Sequence, residues 1–236
     1  LKLNIKIHYL DSCPYVKKIY SVEFDGIKYH CLQCDNNDQG QFFSFIDKDT
    51  KTTYCRRCID FGRSDDMFIR FHINLPISNL ATLKKPSVML SDVQNFASEI
   101  LIENTRKKLS TLVWAVCGAG KTEIVYDTIY HAILDNKTLC LAIPRRDVVK
   151  ELAKRFLSDF HEYSINVLHG EEKTLEDSKF YIMTTHQLLK YYDYFDIIII
   201  DEVDAFPYSG DDCLENGART SLKNDGVFIF LSATPS

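Results

Sequence analysis

The second part of the chain alternates short, fully apolar runs with stretches of helical period. The apolar runs occupy residues 111–114, 138–143, 165–168, 180–183, 195–200 and 227–231, and helical patterns cover 91–109, 123–134 and 148–160. Strands that are apolar at every position are buried on both faces, as in parallel sheets covered by helices. The pattern therefore predicts an α/β domain in which a parallel sheet carries helices on both faces.

The first eighty residues show a different pattern, with short β-branched and aromatic runs separated by turn residues. Residues 19–31 contain two strand-like arms around Asp25-Gly26, a strong signal for a β-hairpin. Two further arms, 41–46 and 52–55, flank a polar loop. A segment with two prolines and two lysines, 76–87, is typical of a linker. We therefore expect a small β-rich module over residues 1–80 and a second domain over residues 81–236.

Composition narrows the class of protein. Hydrophobic residues make up 45% of the 236, which is enough for a substantial core. No apolar run approaches the roughly 18 residues that span a bilayer, and no signal-peptide pattern opens the sequence, so we expect a cytoplasmic protein. The first residue is Leu1 rather than Met, which suggests a piece of a longer chain. The net charge is −5, but the acidic excess lies within residues 151–236, so a basic groove elsewhere is compatible with it.

Four of the eight cysteines form two C-x-x-C pairs with twenty residues between them: Cys31, Cys34, Cys55 and Cys58. Each pair can supply two thiolates from a tight turn, and four thiolates satisfy tetrahedral Zn²⁺ with no open position for a catalytic water. The spacing therefore predicts a structural zinc ribbon. A disulfide or four unrelated thiols are the alternatives. The remaining cysteines are scattered and are expected to be single buried or loop thiols: Cys13, Cys117, Cys140 and Cys213.

The second cysteine pair also carries basic and aromatic residues. Arg56 and Arg57 lie between its two cysteines, and Tyr54 precedes them. A turn of this composition can stack on or pair with a nucleic-acid strand. A solvated turn without a ligand is the alternative.

The stretch AVCGAGKT at 115–122 follows an apolar run and opens a helical one. Strand, glycine loop and helix in this order are the setting of a phosphate-binding loop. Gly118 and Gly120, with Ala119 between them, let backbone N–H groups surround an anion without interference from large side chains. The N-terminus of the following helix favours negative charge at the same place. The stretch therefore predicts a binding site for a nucleoside triphosphate.

Side chains of the loop and of the preceding helix complete the expected nucleotide site. Lys121 is expected to reach the outer phosphates of ATP, and Thr122 to hold Mg²⁺. Gln94 follows the plausible N-cap Ser91 and can both donate to and accept from adenine with its amide group. A surface glutamine without a ligand is the alternative for Gln94.

Polar residues follow each of the apolar runs from 138 onward, at the strand ends where α/β domains place their function. Asp201 and Glu202 come directly after four isoleucines, so Asp201 is expected to leave the sheet beside the phosphate loop. There it would hold Mg²⁺ together with Thr122, and Glu202 would orient or deprotonate the water that attacks the γ-phosphate. The sequence thus predicts a Mg²⁺-dependent ATPase with Lys121, Asp201 and Glu202 as catalytic residues.

Taken together, the motifs resemble those of a known group of motors. A-x-x-G-x-G-K-T at 115–122, DEVD at 201–204 and SAT at 232–234 resemble the first, RecA-like motor domain of superfamily 2 helicases. The longer stretches WAVCGAGKTE, TTHQLL, IIDEVDAFPY and SATPS, behind a four-cysteine module, are similar to the ComFA family of late-competence DNA-uptake ATPases.

The resemblance implies roles for further matched positions. Adenine recognition is implied for Gln94. Contacts with the nucleic-acid backbone, which give grip without reading sequence, are implied at two strand ends: Pro144, Arg145, Arg146, Thr184 and Thr185. Coupling of hydrolysis to strand movement is implied for Asp204, Ser232 and Thr234.

For the whole protein the resemblance implies an ATP-driven translocase of single-stranded DNA for uptake during competence. The implied partners are single-stranded DNA and other uptake proteins, among them a membrane channel and a ComFC-like protein; homo-oligomers and a place at the inner face of the membrane are compatible with it. The chain stops at Ser236, so a second motor domain with its arginine finger is expected to be absent, and turnover by this piece alone slow.

The same motifs leave other functions open. They permit an RNA helicase or a duplex-unwinding DNA helicase. They also permit a binding module that a nucleotide switches, with the zinc ribbon docking a partner.

Overall fold

The computed structural model describes residues 16–67, 69–73, 84–116, 118–170, 172–174 and 178–233. The chain divides into two compact units, each of which draws on separate stretches of sequence. Unit 1 comprises residues 1–76, 189–194 and 211–221, and unit 2 comprises 77–188, 195–210 and 222–236. In the described part of the chain, no helix has the length and apolarity needed to cross a bilayer.

The described residues of unit 1 form three two-stranded antiparallel ribbons, besides one helix given below. Its strands are β1 (Val16–Tyr20), β2 (Val22–Phe24), β3 (Tyr29–Cys31), β4 (Phe42–Asp47), β5 (Thr50–Cys55) and β6 (Ile69–Ile73). β1 pairs with β6, β2 with β3, and β4 with β5. Two short 3₁₀ turns, Gln39–Gln41 and Arg56–Cys58, accompany the ribbons.

The two hairpins close through local turn chemistry. The Asp25 carboxylate accepts hydrogen bonds from the backbone N–H groups of Ile27 and Lys28 at 2.8 Å, and Gly26 supplies φ +98°. This confirms the predicted turn at Asp25-Gly26. The second hairpin turns over only two residues, Lys48 and Asp49, both with positive φ. It is tighter than the predicted polar loop because this geometry follows the twist of the paired strands.

Unit 2 contains a seven-stranded sheet, counted over the described residues. Its strands are β7 (Thr111–Trp114), β8 (Leu139–Ile143), β9 (Asn166–His169), β10 (Glu172–Thr174), β11 (Phe180–Thr184), β12 (Phe195–Ile200) and β13 (Leu222–Ser232). The order across the sheet is β10-β9-β11-β8-β12-β13-β7, and every pairing except β10 with β9 is parallel. The predicted α/β fold with a parallel sheet is confirmed.

The described residues contain six α-helices. They are α1 (Asp92–Arg106), α2 (Lys121–Ile124), α3 (Tyr126–Leu134), α4 (Arg146–Asp159), α5 (Thr185–Leu188) and α6 (Asp212–Ser221). The helix predicted over 123–134 is interrupted at Val125, which separates α2 from α3. The helix α6, whose residues belong to unit 1, is not predicted by the sequence pattern.

The core of unit 2 lies between α1, α3 and α4 and one face of the sheet. Alternate residues of the central strands supply that face, among them Leu141, Ile199 and Ile229, which are almost fully buried. The intervening residues Cys140 and Ile198 are equally buried. Burial of both faces explains why these strands are apolar at every position.

Candidate functional site

The glycine loop between β7 and α2 lies at the carboxyl edge of the sheet. Gly118 has φ +77°, and Gly120, the N-cap of α2, has φ +74°. Both values lie in the left-handed region that glycine adopts without steric cost. The Lys121 ammonium donates to the loop's own carbonyls, to Ala115 O at 2.8 Å and to Val116 O at 3.2 Å. The charged end of this lysine therefore lies within the loop, and its contact with the outer phosphates stays a prediction.

Two other strands end beside the loop. β13 is the direct neighbour of β7, and the carbonyl of Ser232 accepts from Ala115 N at 3.1 Å. From the end of β12, a carboxylate oxygen of Asp201 accepts from the Thr122 hydroxyl at 3.1 Å. The fold thus brings the predicted Mg²⁺ pair, separated by 79 positions, into direct contact.

Asp201 occupies a buried position with both carboxylate oxygens engaged. One oxygen accepts from Thr122 and the other from the backbone N–H of Glu202 at 3.0 Å. The side chain is 6% exposed, and desolvation raises the pKa of Asp201 above its ordinary value despite these hydrogen bonds. A buried carboxylate held in this way favours a cation at the site.

Glu202 has an unusual backbone and a half-buried side chain. Its φ of +54° lies in the left-handed region, which costs a non-glycine residue energy and is often found at functional sites. Its carbonyl accepts from Ala205 N at 2.8 Å, and the next N–H, that of Val203, donates to Leu231 O. These hydrogen bonds stabilise the turn by which the chain leaves the end of β12.

Gln94 reaches the loop from the first turn of α1. Ser91 and Gln94 form a reciprocal capping box, in which the Gln94 amide oxygen accepts from Ser91 N at 2.8 Å. The amide nitrogen donates to Ala119 O at 2.8 Å. A Cβ atom at Gly120 would lie 2.4 Å from that nitrogen, so glycine is required for this approach. Adenine recognition by Gln94 stays a prediction.

A cavity of about 570 Å³ opens at these residues. The predicted residues that line it are Gly118, Gly120, Lys121, Thr122, Asp201, Glu202 and Asp204. Its size lies within the range of small-molecule sites, and its charged lining combines an ammonium with a cluster of carboxylates. The donor set therefore fits a nucleoside triphosphate with Mg²⁺, held by Lys121, Thr122 and Asp201. Thr234, predicted to act in coupling, lies outside the described residues.

A second cavity, of about 220 Å³, lies at the opposite edge of the sheet, where β8 and β12 begin. It is lined by none of the predicted site residues; Thr128, His131, Lys137 and Asp196 are among its residues. We therefore assign the nucleotide chemistry to the cavity at the glycine loop.

The predicted nucleic-acid contacts divide into exposed and buried residues. Arg145 and Arg146 are exposed at the start of α4, where Arg145 pairs with Asp147 at 2.7 Å. Arg146 lies over Gly170, at which a Cβ atom would come within 2.6 Å of the guanidinium. Among the five predicted contact residues, all of them described, only these two arginines present charged atoms to solvent, and their contact with nucleic acid stays a prediction.

Thr184 and Thr185 lie beneath the surface, with exposures of 3% and 0%. Pro144 is also buried. The Thr185 hydroxyl has no hydrogen-bond partner among the described residues. A contact between these threonines and a nucleic-acid backbone would require their exposure, and it remains a prediction.

A charged network that sequence reasoning missed supports the first turns after the loop. Arg155 on α4 pairs with Glu123 at 2.9 Å and donates to the Tyr126 hydroxyl at 3.1 Å. That hydroxyl donates to Asp159 at 2.7 Å, and burial raises the pKa of Tyr126. No local sequence pattern predicts this network, because Glu123 and Arg155 are 32 positions apart.

The four predicted metal ligands of unit 1 form one buried cluster. Their sulfur atoms all lie within 4.8 Å of one another, with Cys31 and Cys58 3.7 Å apart and Cys34 and Cys55 3.8 Å apart. A tetrahedral zinc with Zn–S bonds of about 2.3 Å requires S–S distances of about 3.8 Å. A disulfide would require about 2.05 Å. The geometry fits Zn²⁺ and excludes disulfides within the cluster.

Polar neighbours surround the cysteine cluster. The Ser64 hydroxyl lies 3.2 Å from Cys31 Sγ, and the Asn36 amide donates to Cys55 Sγ at 3.7 Å. Hydrogen bonds, the largest from Cys34, lower the pKa of Cys31, whereas hydrogen bonds from neighbouring thiols raise the pKa of the other three cysteines of the cluster. Without a metal the four sulfur atoms therefore favour a single thiolate, at Cys31. Cys213, expected to be a single buried or loop thiol, is buried and donates to the carbonyl of Arg57 at 3.7 Å, beside the cluster.

Comparison with known families matches both parts of the chain. Residues 87–236 match the family model of the type III restriction enzyme res subunit, abbreviated ResIII. Residues 4–69 match the competence protein ComFA N-terminal domain.

Curated relatives extend this similarity over nearly the whole chain. Competence protein ComFA of Bacillus subtilis (strain 168) is 39% identical over 225 residues, which cover 94% of this chain and 48% of that protein. Competence protein ComFA of Streptococcus pneumoniae (strain ATCC BAA-255 / R6) is 37% identical over 219 residues, covering 92% and 49%. This chain therefore spans about half the length of these relatives.

A solved structure shows the same fold. The Sulfolobus solfataricus SWI2/SNF2 ATPase core domain matches with a TM-score of 0.52 and 17% identity, covering 64% of this chain and 33% of that one. At this identity the match shows the fold alone.

Proposed function

We propose that this chain is the ATP-binding part of a motor that moves single-stranded DNA. The chain belongs to the ResIII family, and its N-terminal part matches the ComFA N-terminal domain. The proposal concerns the full-length protein, because the chain spans about half of its ComFA relatives. Their name supports a role in competence, where moving a single strand would serve DNA uptake.

One observation carries the proposal: the 3.1 Å hydrogen bond between Thr122 and Asp201 beside the Lys121 ammonium. A hydroxyl from a glycine loop and a carboxylate from a buried strand end are the residue types that hold Mg²⁺ in ATPases with such a loop. The bound ion would neutralise charge on the outer phosphates. The Asp201 carboxylate is shielded from water, so a bound cation would stabilise its negative charge.

The remaining cleft residues have separable roles in the proposal. Lys121 binds the outer phosphates once it exchanges the carbonyls of Ala115 and Val116 for them. Glu202, one position after the magnesium carboxylate, accepts the proton of the attacking water or orients it. Gln94, already hydrogen-bonded to the loop, reads the adenine with the donor and acceptor capacity that its amide retains.

The test is the ATPase rate of the full-length protein with and without nucleic acid. Single-stranded DNA is expected to stimulate the rate strongly, and duplex DNA and RNA weakly. Stimulation by RNA or duplex DNA would favour a helicase acting on those substrates. ATP binding without stimulation by any nucleic acid would favour a nucleotide-switched binding module and overturn the proposal.

Two substitutions assign the residues. Lys121→Ala is expected to weaken ATP binding by about tenfold or more, since it removes a charge-assisted contact with phosphate. Lys154→Ala, an exposed lysine on α4, is the matched control and should leave binding unchanged. Glu202→Gln should retain ATP binding and lower kcat by about 100-fold or more. Retained turnover in that variant would remove Glu202 from the catalytic role.

A further inference from the structure

The hairpin of β4 and β5 carries a row of aromatic rings on one face. The strand register pairs Phe43 with Tyr54 and Phe45 with Thr52, so all four side chains share that face. The Tyr54 ring neighbours both others, with its centroid 6.3 Å from that of Phe43 and 6.2 Å from that of Phe45. Phe43 is 41% exposed and Phe45 is 49% exposed. Unit 1 thus presents three neighbouring rings, two of them large apolar surfaces open to solvent.

The opposite face of the hairpin provides its attachment to unit 1. Phe42 packs on Tyr29 with centroids 5.7 Å apart, and Cys55 belongs to the buried cysteine cluster. The Thr53 hydroxyl bonds Ser44 at 2.8 Å and the Tyr29 hydroxyl at 3.2 Å. The hairpin is therefore held by that face, and the aromatic row is not required to anchor it.

A guanidinium group borders the aromatic row. Arg56 follows β5 directly, and its guanidinium carbon lies 5.2 Å from the centroid of Phe43. Arg56 is exposed and has no ion-pair partner within the described part of the chain, whereas its neighbour Arg57 pairs with Asp212 at 3.5 Å. At the far end of the same face, Asp47 adjoins the turn residue Lys48. The positive charge of Arg56 therefore lies directly beside the aromatic rings.

This combination fits one chemical class of partner. Exposed rings that accept stacked bases, together with an arginine for the phosphate, are how proteins bind single-stranded nucleic acid without reading sequence. A duplex offers only stacked, inaccessible base faces to such a row. An apolar protein surface would cover the rings but would leave the Arg56 charge without a partner. Charge complementarity therefore favours a polyanion with exposed bases.

We propose that the aromatic row, formed by Phe43, Phe45 and Tyr54, is a contact for single-stranded nucleic acid on unit 1, together with the neighbouring Arg56. Bases stack on the three rings, and Arg56 pairs with a backbone phosphate. The inference rests on the proposed function, to which it adds a strand-binding surface that contains none of the residues of the nucleotide cleft. Binding at the aromatic row therefore does not require ATP, and it persists in Lys121→Ala.

The experiment measures the affinity of the chain for a labelled oligothymidylate and for an abasic oligonucleotide of equal length, without nucleotide. Phe43→Ala/Phe45→Ala should weaken oligothymidylate binding about tenfold or more, because the loss of stacking acts through the bases. Its affinity for the abasic strand should change by less than about twofold, since that strand offers only phosphates. Arg56→Ala should weaken binding of both strands.

Three further variants separate stacking from folding. Ile46→Ala changes an apolar side chain of the same strand, 74% exposed on the opposite face, and should bind oligothymidylate like the wild type. Phe45→Trp keeps an aromatic platform and should retain affinity where Phe45→Leu loses it. Retained zinc in each variant shows that the cysteine cluster has formed.

The outcomes distinguish this inference from the proposed function. Unchanged oligothymidylate affinity in the zinc-containing double variant overturns the aromatic row, even if single strands stimulate the full-length ATPase; a protein would then be the occupant of this face. Equal losses on both oligonucleotides overturn stacking. Conversely, stacking losses at the row with no stimulation of the ATPase overturn the proposed motor and leave the strand contact standing.

Discussion

Two neighbouring acidic residues at the end of β12, Asp201 and Glu202, are held in energetically unfavourable arrangements. Asp201 is buried and carries a raised pKa, and Glu202 holds a left-handed backbone. Both features reduce the stability of the isolated fold, and both place groups where nucleotide chemistry needs them. Residue-scale measurements of stability can therefore report on the site without any measurement of activity.

Asp201 is expected to give stability a defined dependence on pH. Burial raises its pKa in the folded state above the ordinary value of 3.8, so the folded protein holds this proton more tightly than the unfolded chain. Its contribution is then fully present below about pH 3.8 and is lost as the pH rises through the folded-state pKa. Between about pH 4 and pH 7, without divalent cations, the free energy of unfolding of the wild type should fall relative to Asp201→Asn.

Urea unfolding of both proteins across this pH range measures the difference. All other titrating groups are common to the two chains, so their contributions cancel in the comparison. A difference that is constant with pH, or one that moves in the wild type's favour as pH rises, would contradict a raised pKa at Asp201.

Glu202 provides a test of backbone strain. Glycine accepts φ +54° freely and alanine does not, so Glu202→Gly should be more stable than Glu202→Ala by about 1 kcal/mol, although glycine usually costs stability. Chemical denaturation measures both variants. The same pair of substitutions at Glu151, on the helix α4, should show the opposite order by a similar amount and serves as the control.

At the scale of elements, the two cysteine turns and their hairpins depend on one another. Cys31 ends β3 and Cys55 ends β5, while Cys34 and Cys58 come from the turns that follow. Short two-stranded ribbons are marginal in water on their own. A metal that joins both hairpins through four thiolates therefore supplies much of their stability.

Loss of the metal should unfold these hairpins selectively. Cys58→Ser is expected to reduce zinc well below the one ion per chain expected for the wild type, and to lower the β-strand signal in circular dichroism. Nucleotide binding in unit 2 should remain, because no cysteine of the cluster lines the cleft. Metal analysis and ATP titration check the two halves of the expectation.

Cys213→Ser is the matched control for the zinc site. Its thiol is buried beside the cluster, yet it lies outside the four sulfur atoms that approach within 4.8 Å of one another. It should keep a full complement of zinc. If Cys213→Ser lost as much zinc as Cys58→Ser, Cys213 would be a ligand. If the β-strand signal of the wild type survived chelation, the metal would have no structural role.

Helices and strands with a strong local sequence pattern are the ones that the sequence predicts accurately. β12 occupies the predicted residues 195–200, because four consecutive isoleucines after Phe195 can only be buried on both faces. α6 was missed since its sequence, DCLENGARTS, contains a glycine and few apolar residues, which weakens any helical signal. β13 begins five residues before the predicted start, at polar positions that only its pairing reveals.

At the scale of the whole molecule, unit 1 is discontinuous in sequence. Residues 189–194 and 211–221 belong to it although they lie within the stretch that the sequence assigns to the second domain. Within unit 1, the Thr220 hydroxyl donates to Gln33 O at 3.4 Å, and Asp212 pairs with Arg57. Leu214 and Ala218 on α6 are fully buried.

A chain that begins at residue 77 should therefore leave α6 without its partners. Removal of residues 1–76 would eliminate both contacts with Gln33 and Arg57 and expose apolar side chains of α6, at a cost of about 1.5–3 kcal/mol for each large one. Hydrogen exchange should show lost protection over 212–221, while amides of β8 and β12 in the same sample stay protected and act as the internal reference. Equal protection of α6 in both chains would mean that the division into units has no energetic basis there.

Features that depend on a few neighbouring residues can be predicted from the amino-acid sequence. The order of strands and helices in unit 2, the glycine loop and the two cysteine pairs follow from periodicity, from the conformational freedom of glycine and from ligand spacing. Contacts between residues far apart in sequence follow only from the way the chain folds. The bond from Thr122 to Asp201, the place of Cys213 beside the cysteine cluster and the burial of Thr185 depend on strand order and chain crossing. Local patterns do not encode these, because every strand of a buried sheet looks alike in sequence.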